Sequence, residues 1–200
     1  MVKYPSGHSP QPNGDTSNNE SKTNYGGRGM SLEEKINQSN TYYLTKERAV
    51  IHKKPTPIQV VQVDYPHRSA VKITEAYYRQ ASTTDYNGVY KGKYIDFEAK
   101  ETKNKTSFPL NNLPEHQREH MSNCIKHGGI AFLLISFKVR NEVYLIPYES
   151  IETQMASSNK KSLTYQFIQN NGYLCQTGVF PMLDYLSALD IYLEKLERSN

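Results

Sequence analysis

The sequence predicts an α/β protein, in which a mixed β-sheet is flanked by helices. An unbroken apolar run over 130–137 has the length and composition of a strand that is buried on both faces. Segments with helical signals lie before, between and after the predicted strands, in the order helix, several strands, helix, two strands, helix. No internal repeat is visible, so a single domain with one central sheet is expected.

The local signals place the individual elements. Ser31 to Glu34 has the pattern of a capping box, which predicts a first helix over 31–45. Pro114 and the pair Gly128-Gly129 bound a second helix, because proline suits a first turn and glycine a helix end. Four leucines at helical spacing predict a last helix over 182–196. Turn signals lie at Asn87-Gly88 and Lys91-Gly92, and a polar loop is expected over 155–162. The predicted strands are 48–53, 58–63, 70–78, 94–101, 130–137 and 143–146.

Composition excludes several classes of protein. The chain has 200 residues and a mean hydropathy of −0.73, and no window holds the roughly 18 consecutive apolar residues that a membrane span needs. The first residues lack the apolar stretch of a secretory signal. Only two cysteines are present, without a C-x-x-C motif, which argues against a disulfide scaffold or a cysteine zinc site. A cytoplasmic protein is expected.

The chain divides into a tail and a domain. Residues 1–29 are rich in small and polar residues and contain few bulky apolar side chains. Such a segment cannot bury enough apolar surface to offset its ordering entropy, so a disordered N-terminal tail is predicted. The ordered domain is predicted over 30–200, with an insertion at about 55–80 that interrupts the α/β pattern with a hairpin.

Positive charge is concentrated in the middle of the chain. Residues 46–105 contain 12 Lys and Arg against 7 Asp and Glu. A basic hairpin is a natural probe for a polyanion such as DNA, although an edge hairpin also carries charges simply to prevent aggregation. The candidate DNA-binding residues in and beside this hairpin are Lys53, Lys54, Arg68, Lys72 and Arg79.

The predicted strand over 94–101 carries an unusual set of side chains. Alternation places Tyr94, Asp96, Glu98 and Lys100 on one face, and a turn after Asp85 would bring that acid beside Glu98. Two carboxylates offer hard oxygen ligands for Mg²⁺ or Mn²⁺, and the ammonium of Lys100 could stabilise charge on a reacting phosphate. The same pattern is also compatible with a surface ladder of ion pairs.

Longer blocks around these residues resemble the RecU family of Holliday junction resolvases, which belong to the PD-(D/E)xK nucleases. The blocks are Thr83-Thr-Asp-Tyr-Asn-Gly88, Tyr94-Ile-Asp-Phe-Glu-Ala-Lys-Glu-Thr-Lys103, Thr106-Ser-Phe-Pro-Leu110, Arg28-Gly-Met30 and His52-Lys-Lys-Pro-Thr-Pro57. The resemblance is strong over about 26–150 and looser beyond. Thr84 stands where the superfamily pattern has proline, as it does in RecU proteins.

This resemblance implies a restriction-endonuclease-like core with a projecting β stalk at about 55–80. It implies Mg²⁺, for which Mn²⁺ can substitute, bound by Thr83, Asp85, Glu98 and Gln117, with Lys100 as transition-state stabiliser and Asp85, Glu98 and Lys100 as the catalytic set. The implied protein is a homodimer that nicks two opposed strands of a four-way DNA junction in homologous recombination, DNA repair and chromosome segregation. The resemblance also implies strand annealing, other branched DNA substrates, and partners such as a recombinase or a branch-migration helicase.

Two other functions remain open on the sequence. A non-catalytic DNA-binding or annealing protein would use the same basic surface. In addition, His116-Gln-Arg-Glu119-His120 matches the H-x-x-E-H pattern of one class of zinc metallopeptidase. Five residues match easily by chance, and the third ligand would be a downstream glutamate, for which the candidates are Glu149, Glu152 and Glu194.

Overall fold

The computed structural model describes residues 30–67, 70–79 and 83–199. The predicted disordered tail over 1–29 and the candidate DNA-binding residue Arg68 lie outside the described residues. The helices are α1 (Leu32–Thr45), α2 (Glu115–Lys126), α3 (Tyr148–Ser157), α4 (Tyr165–Asn171) and α5 (Tyr185–Ser199). The strands are β1 (Val50–Lys53), β2 (Ile58–His67), β3 (Ala70–Tyr78), β4 (Tyr86–Tyr90), β5 (Lys93–Thr102), β6 (Ser107–Pro109), β7 (Ile130–Phe137), β8 (Glu142–Pro147), β9 (Ser162–Thr164), β10 (Tyr173–Thr177) and β11 (Leu183–Asp184).

A seven-stranded mixed sheet forms the centre of the domain, in the order β1-β4-β5-β7-β8-β10-β11. Only β5 and β7 pair in parallel, and the other neighbours in this sheet are antiparallel. A parallel pair needs a crossover, which α2 supplies between β5 and β7. All eight residues of β7 are buried, as predicted for a strand covered on both faces.

Each face of the sheet has its own apolar core. Ile95 and Phe97 of β5 pack with Phe132 of β7 on the face covered by α1 and α5. Leu133 and Ile135 of β7 belong to the other core, on the face covered by α2, α3 and α4. Because side chains alternate along β5, its polar residues lie on the same face as the second core. The predicted α/β fold with helices flanking a mixed sheet is therefore confirmed.

Strands β2 and β3 form a separate two-stranded sheet, here called the ribbon (residues 58–67 and 70–78). Bulky side chains are exposed along it, with Tyr65 72% and Tyr78 84% accessible. The ribbon thus lacks a core of its own over its described residues, and it matches the hairpin predicted at about 55–80.

One turn signal was wrong. Asn87 and Gly88 lie within β4, and the turn into β5 is formed at Lys91-Gly92, where both residues have positive φ. Gly88 allows β1 to pack closely against β4, because an added Cβ would lie 2.2 Å from the Val50 carbonyl oxygen. The glycine is needed there for packing between strands, which a local turn signal does not reveal.

The second half of the chain has more structure than the sequence predicted. The expected loop over 155–162 begins inside α3, and its last residue starts β9, which pairs with β6. The strands β10 and β11 extend the central sheet beyond β8. The leucine face of α5 packs into the core as predicted. No helix among the described residues is long and apolar enough to cross a membrane.

Candidate active site

The structure brings Asp85 and Glu98 together. Tyr86 pairs with Phe97 in the antiparallel register of β4 and β5. Asp85, which precedes Tyr86, therefore lies opposite Glu98, which follows Phe97. The backbone N–H of Asp85 donates a hydrogen bond of 3.0 Å to Glu98 Oε2. The juxtaposition expected from the sequence is therefore present, and it depends on the turn at Lys91-Gly92.

Lys100 completes this group on β5. Its Nζ lies 2.8 Å from Glu98 Oε1, and the Glu98 side chain is almost fully buried while that of Lys100 is partly exposed. Burial, together with the nearby charge of Asp85, raises the pKa of Glu98 to about 7, against the opposing effect of Lys100. A carboxylate in this situation is stabilised by a further positive charge, which a divalent cation would supply.

Gln117 contributes a buried oxygen that has no partner. Among the described residues, the buried side-chain polar atoms without a hydrogen bond are Gln117 Oε1 and Arg118 Nε. The first is an acceptor and the second a donor, so only Gln117 could ligate a cation. Gln117 and His120 share a face of α2, because they are three residues apart, and His120 contacts β5 directly. The amide of Gln117 thus lies on the side of α2 that faces the sheet.

The donor set fits a hard divalent cation. It consists of two carboxylates, a buried amide oxygen and, in Thr83, a hydroxyl two residues before Asp85, and all four groups bind through oxygen. Thr83 is partly buried in the segment that leads into β4. The assignment of Thr83, Asp85, Glu98 and Gln117 as metal ligands, and of Lys100 as transition-state stabiliser, stays a prediction.

A second polar cluster adjoins this group and was not assigned from the sequence. Asp96 of β5 is fully buried, and its carboxylate accepts hydrogen bonds from Thr84 Oγ1, from Tyr94 OH at 2.7 Å and from Lys54 Nζ at 2.8 Å. His120 Nε2 of α2 lies 3.1 Å from the same carboxylate. The only sequence signals were the position of Asp96 on the face shared with Glu98 and of His120 three residues after Gln117.

The candidate DNA-binding residues differ in their environments. Lys53 pairs with Glu33 on the surface, whereas the side chain of Lys54 is largely buried. Lys72 is exposed on the ribbon and Arg79 is exposed directly after it, and Arg79 Nε donates to Gln59 Oε1 at 3.1 Å. A cavity of about 380 Å³ joins the base of the ribbon to the acidic site and is lined by residues 53–57, Arg79 and residues 83–85.

The H-x-x-E-H pattern does not form a metal cluster of its own. Within the described part of the chain, the one group of three or more close metal-ligating side chains is Asp96, His120 and Cys124. His116 and Glu119 do not belong to it. The geometry thus gives no support to a zinc metallopeptidase built on these three residues.

An α/β domain that sets two acids and a lysine at the end of a β-hairpin, next to a projecting two-stranded ribbon, has the architecture of a metal-dependent nuclease. The family model of RecU, described as Recombination protein U, matches residues 27–191. The chain belongs to the RecU family, which confirms the resemblance found in the sequence.

The curated relatives agree with this assignment. The Holliday junction resolvase RecU of Staphylococcus aureus strain JH9 is 58% identical over 173 residues, covering 85% of this chain and 83% of the relative. The protein of the same name from Bacillus cytotoxicus is 56% identical, with 85% and 86% covered. A solved structure, Archaeoglobus fulgidus Hjc, described as a Holliday junction resolvase, has a TM-score of 0.37 and 12% identity, over 64% of this chain and 84% of that chain. That likeness is distant, and the family assignment comes from the sequence matches.

Proposed function

We propose that this protein is a structure-specific endodeoxyribonuclease that resolves Holliday junctions by symmetrical nicking of two opposed strands, with Mg²⁺ or Mn²⁺ as cofactor. The observation that carries the proposal is the contact of Asp85 with the buried Glu98, which is paired with Lys100. The RecU relatives bear the name of this activity, and the acids, the lysine and the cavity are the parts that such a reaction requires.

The roles of the side chains follow from their chemistry. A bound divalent cation would polarise the scissile phosphate and lower the pKa of a water ligand. Asp85, Glu98, Gln117 and Thr83 would hold it through oxygen atoms. Lys100 holds its ammonium 2.8 Å from Glu98, where it can orient the attacking water or offset charge that develops on the phosphate.

The ribbon and the cavity support recognition of branched DNA by shape. The cavity connects the exposed Arg79 to the segment that carries Asp85, so a strand bound along the ribbon would reach the acids. Lysine and arginine contacts to phosphates position DNA without reading its sequence. A homodimer would match the two-fold symmetry of a four-way junction and would supply two active sites.

The wider setting follows from this substrate. Junction resolution belongs to homologous recombination, DNA repair and chromosome segregation, and a recombinase or a branch-migration helicase would act on the same DNA. Strand annealing would use the same basic surface without the acids. A DNA substrate is consistent with the cytoplasmic location expected from the sequence.

The decisive experiment is a nicking assay on a mobile and an immobile four-way junction, with and without Mg²⁺, and with linear duplex as control. We expect paired nicks at symmetric positions of the junction only when Mg²⁺ is present. Asp85→Ala and Glu98→Gln should abolish nicking while junction binding is retained. If both variants cleave at the wild-type rate, the site assignment is wrong, and if the wild type binds and anneals DNA but never cleaves it, the protein is a non-catalytic DNA-binding protein.

A further inference from the structure

We propose that Asp96 and Lys54 form a buried ion pair that positions the metal ligands, and that Lys54 acts on Asp85 through this pair instead of contacting DNA. This inference rests on the proposed function. It assigns Lys54 as a positioning residue, although its place beside the basic hairpin suggests a phosphate contact.

The Lys54 ammonium is surrounded by hydrogen-bonding groups. Its Nζ donates to Asp96 Oδ2 at 2.8 Å and to Thr84 Oγ1 at 3.0 Å, and it lies 3.5 Å from His120 Nε2. An ammonium has three donors, and Asp96 and Thr84 accept from two of them. The Lys54 side chain is 18% exposed and that of Asp96 is 0% exposed. A lysine that is bound in this way has little freedom to reach a phosphate.

The Thr84-Asp85 segment is attached to this pair. The Thr84 hydroxyl donates to Asp96, and the backbone N–H of Lys54 donates to the Asp85 carbonyl oxygen at 2.7 Å. Asp85 in turn donates its own N–H to Glu98. The segment that carries Asp85 is therefore tied to Lys54 on one side and to β5 on the other.

Asp96 also reaches α2. His120 Nε2 lies 3.1 Å from the Asp96 carboxylate, and Gln117 is on the same face of that helix. One buried carboxylate thus connects the three segments that supply the predicted metal ligands, which are residues 83–85, β5 and α2. Groups that orient metal ligands in this way typically change metal affinity or activity by about 10–100-fold when they are removed.

A cation site at Asp96, His120 and Cys124 is the competing interpretation. Their ligand atoms lie within 4.8 Å of one another, and these residue types bind zinc. However, the ammonium of Lys54 already neutralises Asp96, and a cation would have to displace it. Burial also raises the pKa of the Cys124 thiol, which disfavours the thiolate that a metal requires. The contacts are therefore those of an ion-pair network.

The experiment compares Lys54→Met, Asp96→Asn and the double variant with the wild-type protein. Three quantities are measured: the Mn²⁺ dissociation constant of the DNA-free protein, the affinity for a four-way junction and its salt dependence without metal, and the nicking rate at saturating junction. Lys91→Met is the matched control, since Lys91 forms an ion pair with Asp190 on the surface. We expect this control to resemble the wild type in all three quantities.

For Lys54→Met and for Asp96→Asn we expect Mn²⁺ affinity or the nicking rate at saturation to fall about 10–100-fold, with junction affinity and its salt slope unchanged. The double variant, which leaves neither charge unpaired in the interior, should nick faster than either single variant but more slowly than the wild type. Thermal unfolding of each variant identifies one that has lost its fold, and the double variant then serves as the test.

The proposal is overturned if Lys54→Met weakens junction binding and lowers the salt slope by about one while Mn²⁺ affinity and saturated nicking are retained, because that is the behaviour of a phosphate contact. It is also overturned if the double variant nicks the junction no faster than Lys54→Met does. A wild-type protein that neither binds Mn²⁺ nor nicks junctions would instead refute the proposed function.

Discussion

The polar face of β5 and the ribbon carry charged and aromatic side chains in opposite surroundings. On β5, Asp96 and Glu98 are buried, and each is paired with a lysine at 2.8 Å. On the ribbon, Tyr65 and Tyr78 are exposed although they are large and partly apolar. The strand is held from both sides by the sheet, whereas β2 and β3 pair only with each other.

This difference shows how the two tasks of the proposed nuclease are separated. Buried charges are costly unless they are paired, so the polar face of β5 holds its groups in one arrangement. A catalytic constellation needs such placement. The ribbon lacks a buried face over its described residues, so its side chains are available for contact with another molecule. We therefore expect substitutions on β5 to affect stability or chemistry, and substitutions on the ribbon to affect binding.

The largest effect on stability is expected for Phe97→Ala. The Phe97 ring is fully buried on the opposite face of β5 and stacks between Tyr86 and Phe132, with ring centroids 4.9 and 4.8 Å away. Truncating a buried phenylalanine costs about 3–5 kcal/mol. Urea unfolding followed by circular dichroism would measure this loss, and a change below about 1 kcal/mol would contradict the packing described here.

The next effect is expected on the rate of nicking alone, with DNA binding unchanged. Lys100→Met should lower the nicking rate at saturating junction by about 10²–10³-fold, which is the usual cost of removing one group that stabilises transition-state charge. Junction affinity should change little. Lys138→Met is a suitable control, because Lys138 makes a surface ion pair with Glu101 near the end of the same strand. Single-turnover cleavage measures the rate, and equal rates for Lys100→Met and the wild type would remove Lys100 from the catalytic set.

The next effect is expected on DNA binding, with the rate of cleavage unchanged, for residues of the ribbon and directly beside it. Lys72→Gln and Arg79→Gln should each weaken junction binding and reduce the slope of log affinity against log salt by about one, as expected when one phosphate contact is lost. Cleavage at saturating junction should stay at the wild-type rate. Fluorescence anisotropy at several salt concentrations tests this, and an unchanged slope in both variants would show that the ribbon does not contact phosphates.

The smallest effect on stability is expected for Tyr78→Ala. The Tyr78 side chain is 84% exposed on the ribbon, so its removal should change the free energy of unfolding by less than about 0.5 kcal/mol. The urea experiment used for Phe97→Ala also measures this change. A loss above about 2 kcal/mol would show that the ribbon is packed against another part of the protein in solution.

Local sequence was sufficient for most of the fold near the site. The capping box at Ser31 begins α1 as predicted, the apolar run of β7 is buried, and α2 follows Pro114 and ends before Gly128. These signals depend on neighbouring residues and are independent of the rest of the chain. Asn87-Gly88 was wrongly predicted to be a turn, because the glycine is needed for close packing between β4 and β1. The strands β9 and β10 were missed because their pairing partners, β6 and β8, are distant in sequence.

By itself the sequence determined the overall α/β class, the alternation that puts Asp96, Glu98 and Lys100 on one face of β5, and the resemblance to RecU proteins. Only the tertiary structure decided which charged side chains form ion pairs with one another. Lys53 and Lys54 are adjacent and identical in type, yet one pairs with Glu33 on the surface and the other with Asp96 in the interior. Neighbouring residues of a chain point in opposite directions at a strand end, and their partners lie on elements that the sequence does not place in space.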